Sequence, residues 1–283
     1  MEAVGLRELR QNPSELVRRV EAGEEIVITV AGAVLIRVLL VATLLIGLSA
    51  VGTGWAGADP NALWTIVHDE CSPHEELHDD PAPCALVDAE DGYAVLKDLV
   101  GERQFLLIPT LQITGIESPV LLDPGAKDYF ADAWRARYLT EERAERSLPS
   151  DWVSLAVNSM VARSQNQLHI HIDCLRADVH QSLAQHAASI GSAWAPFAVP
   201  LAGAPYSAIN ISDLNDINVF QLLAEGLPGA REDMSRRTLV VVGSPSGSGF
   251  VVLAGQADPA AGDDGSGEDL QDHAFCAAPA AGK

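Results

Sequence analysis

The ten residues from Gln165 to Cys174, QNQLHIHIDC, alternate polar and apolar side chains. This period of two is typical of a β-strand, in which successive side chains point to opposite faces. The apolar face, predicted to lie on a core, consists of Leu168, Ile170, Ile172 and Cys174. The other face consists of Gln167, His169, His171 and Asp173. The pattern therefore predicts a strand, running to Leu175, that presents titratable groups in a row.

Shorter patterns predict the elements around this strand. Residues 92–99 and 104–109 read as a β-hairpin around Gly101, and residues 239–242 pair with residues 250–253. Apolar spacing predicts helices over residues 126–146, 177–189 and 219–227, and a composition rich in Gly, Asp and Ala predicts a mobile loop over residues 255–268. The mixed order of helices and antiparallel hairpins indicates an α+β fold.

An uncharged apolar run, VLLVATLLIGLSAVG, extends from Val38 to Gly52. Arg37 precedes it and the small residues Ala56 to Ala58 follow, which is the arrangement of a secretory signal. Extended to residues 34–55, the same run is long enough for a single transmembrane anchor. Both interpretations place the body of the protein outside the cytosol, in a periplasmic or extracytoplasmic space. The body is membrane-anchored in one case and secreted after cleavage at Ala58 in the other.

The net charge of −21 and the pI near 4.5 limit the partners of the body. Nucleic acid phosphates and anionic lipid headgroups are repelled by such a charge, so an anion must bind in a local pocket.

The four cysteines, Cys71, Cys84, Cys174 and Cys276, have spacings that suit neither a zinc site nor a C-x-x-C redox pair. Because disulfides persist outside the cytosol, export favours two disulfides over four buried thiols. The spacing alone permits all three pairings.

The polar row of the alternating strand has three chemical interpretations. Two imidazoles and a carboxylate can share a metal ion, although no further strong ligand lies nearby in the sequence. Two histidines on a strand can also be plain surface residues. The third interpretation is nucleophilic or acid–base catalysis, for which a neutral imidazole is suited near neutral pH.

Residues 1–33 resemble the N-terminal part of the Phd/YefM antitoxins. The similarity lies in Arg7-Glu8-Leu9, Ser14-Glu15-Leu16, Gly23-Glu24 and Ile28-Thr29. Apolar spacing predicts a helix over residues 6–20, and residues 24–30 read as a short strand. The resemblance implies, as an alternative function, a DNA-binding regulator. The apolar run replaces the toxin-binding continuation, so we interpret these residues as a gene fusion or a wrongly assigned start.

The body resembles the histidine-triad (HIT) superfamily, and within it the CDP-diacylglycerol pyrophosphatases, over residues 59–276. Asn158, Gln165, His169 and His171 match the first four positions of the HIT pattern, and Asp173 stands where a third histidine is expected. The runs GYAVLKDL, FLLIPT, ITGIESPVLLDP and SLAVNS are similar to that family as well. The resemblance implies a HIT-like antiparallel sheet with flanking helices, leaving residues 277–283 as a tail.

The resemblance also implies a reaction, the hydrolysis of CDP-diacylglycerol in the membrane to CMP and phosphatidate through a nucleotidyl-histidine. Counting without a gap makes His171 the preferred nucleophile and His169 its support. If Gln167 replaces the first histidine, His169 becomes the nucleophile. Asp173 is expected to orient one of the two through a hydrogen bond. A HIT-type hydrolase or nucleotidyltransferase acting on another nucleotide diphosphate is the alternative.

The expected substrate-binding residues are Asn158 and Gln165, by the same resemblance, and Gln167 of the polar row. Lys97 and Arg163 are added as cationic candidates, because the negative charge of a diphosphate must be stabilised by nearby donors. Neither a metal ion nor another cofactor is required in HIT chemistry. For the cysteines we prefer Cys174 with Cys276, which fixes the histidine strand, and Cys71 with Cys84. The oligomeric state is left open.

Overall fold

The computed structural model describes residues 59–215 and 217–279, together with the backbone of three strands nearer the N-terminus. The chain divides into two compact units, Met1–Trp55 and Ala56–Lys283. In the first unit, β1 (Glu2–Gly5) runs parallel to β2 (Ile26–Val30), which pairs antiparallel with β3 (Ala33–Val38). The strand predicted over residues 24–30 is therefore confirmed as β2.

The predicted helix over residues 6–20 lies outside the described residues, and so do residues 39–55 of the predicted membrane span. The first part of that span, residues 34–38, belongs to strand β3 instead of a helix. Within the described part of the chain, every helix is too short or too polar to cross a bilayer.

The second unit is an α+β body. Its helices are α1 (Ala62–Thr65), continued by a π-helical segment (Ile66–Cys71) into α2 (Ser72–His78), and then α3 (Tyr129–Ala136), α4 (Tyr138–Arg143), α5 (Ala177–His186) and α6 (Val219–Gly226). Its strands are β4 (Leu86–Asp88), β5 (Tyr93–Lys97), β6 (Phe105–Pro109), β7 (Val153–Val157), β8 (Ile170–Cys174), β9 (Ala195–Pro196), β10 (Ser207–Ile211), β11 (Arg237–Gly243) and β12 (Phe250–Gln256). Short 3-10 segments follow at Pro119–Leu122, Ser150–Trp152, Ala187–Ser189, Arg231–Arg236 and Gly267–Leu270.

The nine strands form one antiparallel sheet in the order β4-β5-β6-β8-β7-β11-β12-β10-β9. Both predicted hairpins are confirmed, as β5–β6 and β11–β12. The predicted helix over residues 126–146 is divided into α3 and α4 at Arg137, whose backbone N–H bonds to Trp134 three residues earlier. The α+β class inferred from the order of elements is thus confirmed.

Helices cover both faces of the sheet. On one face, α3 and α6 pack on the main core, to which β7, β8 and β11 contribute alternate side chains. On the other face, Val179 and Leu183 of α5 pack on the intervening side chains of the same region, such as Val240 and Val242. Strand β8 lies between β6 and β7 and is buried along its whole length. Its second face carries His171 and Asp173 where other strands carry aliphatic residues.

The histidine strand is shorter than predicted, because it begins at Ile170 and not near Gln165. Its antiparallel neighbour β6 ends at Pro109. Beyond that point the Gln167 side chain donates to the backbone carbonyls of Pro109 and Leu111 and accepts from the N–H of Ile113. Residues 165–169 therefore form a loop that the buried Gln167 side chain holds in place. His169 is the last residue of this loop, directly before β8.

Two disulfides close the body, and both match the preferred pairings. Cys71 bonds to Cys84, 13 residues away, and Cys174 bonds to Cys276, 102 residues away. The second disulfide joins the end of β8 to the C-terminal segment. The fold around the histidines therefore depends on residues about a hundred positions further along the chain.

We expect the two disulfides to contribute unequally to stability. A crosslink restricts the unfolded chain more when it closes a longer loop, by about 5 kcal/mol for Cys174–Cys276 and about 3 kcal/mol for Cys71–Cys84. Urea denaturation of Cys174→Ala/Cys276→Ala and of Cys71→Ala/Cys84→Ala measures both contributions. The pairs are matched controls, since all four side chains are buried. An equal or reversed order of destabilisation would contradict this expectation.

Candidate active site

A cleft of about 660 Å³ opens beside the histidines. Helix α1, the β5–β6 turn, the loop between β7 and β8, and the Gly267–Leu270 segment surround it. Four of the residues predicted from the HIT pattern line this cleft together: Asn158, Gln165, His169 and His171. Glu268 and Asp98, which the sequence did not single out, line it as well.

His169 is held so that one ring nitrogen is free to react. Its Nδ1 lies 2.6 Å from the backbone oxygen of Gln167. Because a carbonyl oxygen only accepts hydrogen bonds, Nδ1 carries the proton and Nε2 keeps its lone pair. Within the described residues Nε2 has no hydrogen-bond partner, and the ring lines the cleft. Burial lowers the pKa of His169, so the imidazole is neutral at pH 7.

His171 is more enclosed than His169. Its Nδ1 lies 2.5 Å from the side-chain nitrogen of Gln104 and 3.2 Å from Oε1 of Glu268. Nε2 is buried without a partner among the described residues. Burial, and next the neighbouring His169, lower the pKa of His171 well below its usual value. The two rings meet edge to face at 4.8 Å between centroids. His171 is therefore a neutral member of a hydrogen-bond network.

Asn158 holds Glu268 in this network. Its side-chain oxygen accepts from the backbone N–H groups of Gly267 and Glu268, at 2.8 and 3.3 Å. Its amide nitrogen donates to the Glu268 carboxylate. Gln104 donates to the other carboxylate oxygen at 3.2 Å. Segment 255–268, predicted as a mobile loop, thus ends in a short 3-10 helix that places a carboxylate in the cleft.

Asp173 hydrogen bonds a histidine, as expected, but the partner is His273 and not His169 or His171. His273 Nδ1 lies 2.9 Å from Asp173 Oδ2, while the other carboxylate oxygen accepts from the N–H of Cys174. Burial raises the pKa of Asp173. Burial lowers the pKa of His273, but the Asp173 hydrogen bond and the nearby carboxylates reverse this effect and raise it overall. His273 Nε2 lies 3.9 Å from Glu268. The pair therefore places a readily protonated imidazole beside Glu268.

The two predicted cationic residues have partners in the described structure. Lys97 lines the cleft, but its Nζ donates to the backbone oxygens of Asp98 and Gly101 at 2.6 and 2.8 Å. Burial lowers its pKa. Arg163 makes a two-point ion pair with Glu117, at 2.5 and 2.7 Å. Arg163 and His169 line a smaller cavity of about 10 Å³. Both cations stand near the histidines with their charge partly compensated.

The two predicted amide residues differ in position. Gln165 lines the cleft and fixes its rim, because it accepts from the N–H of Leu63 and donates to the carbonyl of Asp59. Gln167 is fully buried, and its amide bonds to loop backbone. Gln167 therefore lies behind His169 as a brace.

One group of residues has the composition of a metal site. Asp98, His171 and Glu268 each offer a ligand atom, and these atoms lie within 4.8 Å of one another. The amide nitrogen of Gln104 stands between His171 and Glu268 and donates towards both. A hydrogen-bond donor in that place suits a polar network better than a cation, which the same amide nitrogen would repel.

Sequence reasoning missed Gln104, Glu268 and His273. Each is far from the histidine pattern along the chain and belongs to no local motif. A signal was present for His273 and Glu268, because the preferred pairing of Cys174 with Cys276 draws residues 268–276 towards the end of β8. Gln104 opens the strand paired with β8, which only the sheet order reveals.

Two comparisons with known proteins find similar sequences. A family model described as CDP-diacylglycerol pyrophosphatase matches residues 58–279. A CDP-diacylglycerol pyrophosphatase of Yersinia pestis is 44% identical over 218 residues, which cover 76% of this chain and 84% of that protein. The matched span includes every residue of the cleft described above.

Proposed function

The chain belongs to the CDP-diacylglycerol pyrophosphatase family and hydrolyses CDP-diacylglycerol to CMP and phosphatidate, and we propose that it does so through a nucleotidyl-histidine on His169. One observation carries this proposal. The proton on Nδ1 is fixed by the Gln167 carbonyl, which leaves the lone pair of Nε2 free in a ring that lines the cleft.

The proposed reaction has two displacements. The Nε2 lone pair attacks the phosphorus attached to cytidine, and the bridging P–O bond breaks with its electron pair leaving on phosphatidate. Water then attacks the same phosphorus and passes its proton to the Glu268 carboxylate. The P–N bond breaks, so that CMP departs and the imidazole is restored. A covalent intermediate divides one difficult displacement into two easier ones.

The contacts favour His169 as the nucleophile. Counting the HIT pattern without a gap had preferred His171. The Nδ1 of His171 faces Gln104 and Glu268, and its Nε2 is enclosed. His171 therefore accepts a hydrogen bond from Gln104 and supports the network, while Gln104 and Asn158 hold Glu268. This assignment corresponds to the second register, in which Gln167 occupies the position of the first histidine.

Charge balance gives His273 a role in the same proposal. A diphosphate meets carboxylates at Glu268 and Asp98, which repel it. A protonated His273, held by Asp173, offsets this repulsion beside Glu268. Lys97 and Arg163 add positive potential from positions where their side chains already have partners.

We also propose a HIT-like organisation for the body, supported by the meeting of Asn158, Gln165, His169 and His171 in one cleft. Localisation outside the cytosol, with the apolar run Val38–Gly52 as signal or anchor, is a further part of the proposal. Two disulfides in the body support it, because such bonds are rare in the cytosol.

The first test locates the covalent adduct. Cleavage after Arg163 and Arg176 yields one peptide that contains both histidines. After rapid quenching at neutral pH, reduction and digestion, tandem mass spectrometry should find cytidylyl on His169. His169→Ala should lower kcat by roughly a thousandfold or more and abolish the adduct. His171→Ala should lower kcat by roughly a hundredfold and retain it. An adduct on His171 would assign the nucleophile to the ungapped register instead.

The second test is the pH dependence of CMP release. His169 must be neutral to react, and its pKa lies below 6.5. The decline of kcat/KM at acidic pH should therefore begin below pH 6.5. A raised pKa keeps His273 protonated above pH 6.5, so the alkaline decline should begin beyond that value. His273→Gln should lower kcat/KM roughly tenfold and remove the alkaline decline, measured over about pH 5 to 9. An alkaline decline that survives His273→Gln would exclude this role.

The third test concerns metal ions. Because histidine, Glu268 and His273 supply each chemical step, dialysis against a chelator should leave kcat within about twofold of the untreated enzyme. Asp98→Asn also tests independence of metal ions, because it removes one carboxylate from the group formed by Asp98, His171 and Glu268. Activity that a chelator abolishes and magnesium restores would refute the proposed mechanism.

A further inference from the structure

The cleft has an apolar side that the reaction of the histidines does not use. Its residues, here called the apolar wall, are Leu63, Ile66, Leu96, Leu99, Val100 and Leu106. Leu63 and Leu106 are buried at the base, and Ile66 and Leu96 are half-buried. Leu99 and Val100, in the β5–β6 turn, are exposed. The wall therefore runs from the protein core to solvent along a single cleft.

The exposed end of the wall is braced. Lys97 donates to two carbonyls of the turn, and Asp98 accepts from the N–H of Val100. Gly101 adopts a positive φ of 70° and approaches His273 so closely that a Cβ there would lie 3.0 Å from the His273 carbonyl oxygen. The turn is thus tied to the site residues, and Leu99 is fully exposed on a supported backbone.

A single exposed leucine is ordinary on a protein surface, but six apolar side chains that line one cleft together with the histidines indicate a ligand. The same cleft is also lined by the polar residues Asn158, Ser164 and Gln165. Apolar and polar groups in one cleft match the two parts of the substrate, an apolar diacylglycerol and a polar nucleotide joined by a diphosphate.

We propose that the apolar wall binds the acyl chains of CDP-diacylglycerol and that Leu99 and Val100 make the outermost contacts. This inference rests on the proposed function, because the diphosphate must lie at His169 for the chains to reach the wall. The nucleotide then lies along Asn158, Ser164 and Gln165. The acidic body gains nothing from anionic headgroups, so hydrocarbon contact is the attraction that remains available to a lipid.

The test compares two substrates that are both dissolved as monomers, dibutanoyl and dioctanoyl CDP-diacylglycerol. Monomers avoid any contribution of the apolar N-terminal run to membrane binding in the full chain. In the unsubstituted protein, kcat/KM should rise with chain length. In Leu99→Ser/Val100→Ser, the ratio of dioctanoyl to dibutanoyl kcat/KM should fall about tenfold, because the additional methylene groups lose their contacts.

Two further variants make the result specific. Leu77→Ser removes an exposed leucine of α2 that does not line the cleft and should leave the ratio unchanged. Leu99→Met/Val100→Ile keeps the wall apolar and should preserve it. A ratio unchanged within about twofold in the double serine variant would overturn the inference, and so would an equal loss on both substrates. Hydrolysis of the dibutanoyl substrate would then still support the proposed function. If the unsubstituted protein releases CMP from neither substrate, both proposals fail.

Discussion

The burial of the polar face of β8 is the constraint on which the rest of the site depends. A central strand of a nine-stranded sheet carries imidazoles and a carboxylate at a cost unless neighbouring groups hydrogen bond to them. Gln104 bonds to Nδ1 of His171 and His273 bonds to Asp173, whereas Nε2 of His171 has no partner among the described residues. Gln271 donates to the backbone carbonyls of Ser154 and His171. Such compensation fixes ring orientation, which a nucleophile needs.

The C-terminal segment completes this arrangement. The Cys174–Cys276 disulfide holds it against β8, and Asn158 binds its backbone at Gly267 and Glu268. Consequently one stretch of chain brings both the carboxylate of Glu268 and the imidazole of His273 to the histidine strand. Structural stability and the proposed chemistry are thereby linked, because the same contacts that anchor the end of the chain position two side chains of the site.

The environment also separates the histidines by pKa. Desolvation lowers the pKa of His169 and His171, whereas the pKa of His273 is raised overall despite its burial, because Asp173 accepts a hydrogen bond from it and nearby carboxylates favour its charged form. Three residues of one type thus differ in proton affinity, which is the basis of the separate roles proposed for them. The apolar wall lies in the same cleft, and it is proposed to contact hydrocarbon where the histidines are proposed to react with phosphate.

Local patterns determined much of this protein. Alternation predicted β8, short apolar runs around turns predicted both hairpins, and apolar spacing predicted the helical regions of α3 to α6 but not α1 and α2. The number and spacing of the cysteines allowed the correct disulfides among the three possible pairings. The histidine pattern identified four residues that meet in one cleft. Only the tertiary structure decided the hydrogen-bond partners of the site residues: Asp173 with His273, Glu268 with Asn158, and Gln104 with His171. Periodicity reports which face a side chain occupies, since that depends on neighbours along the chain. It does not report which distant segment packs on that face, and here the hydrogen-bond partners and the burial of each imidazole are set by that packing.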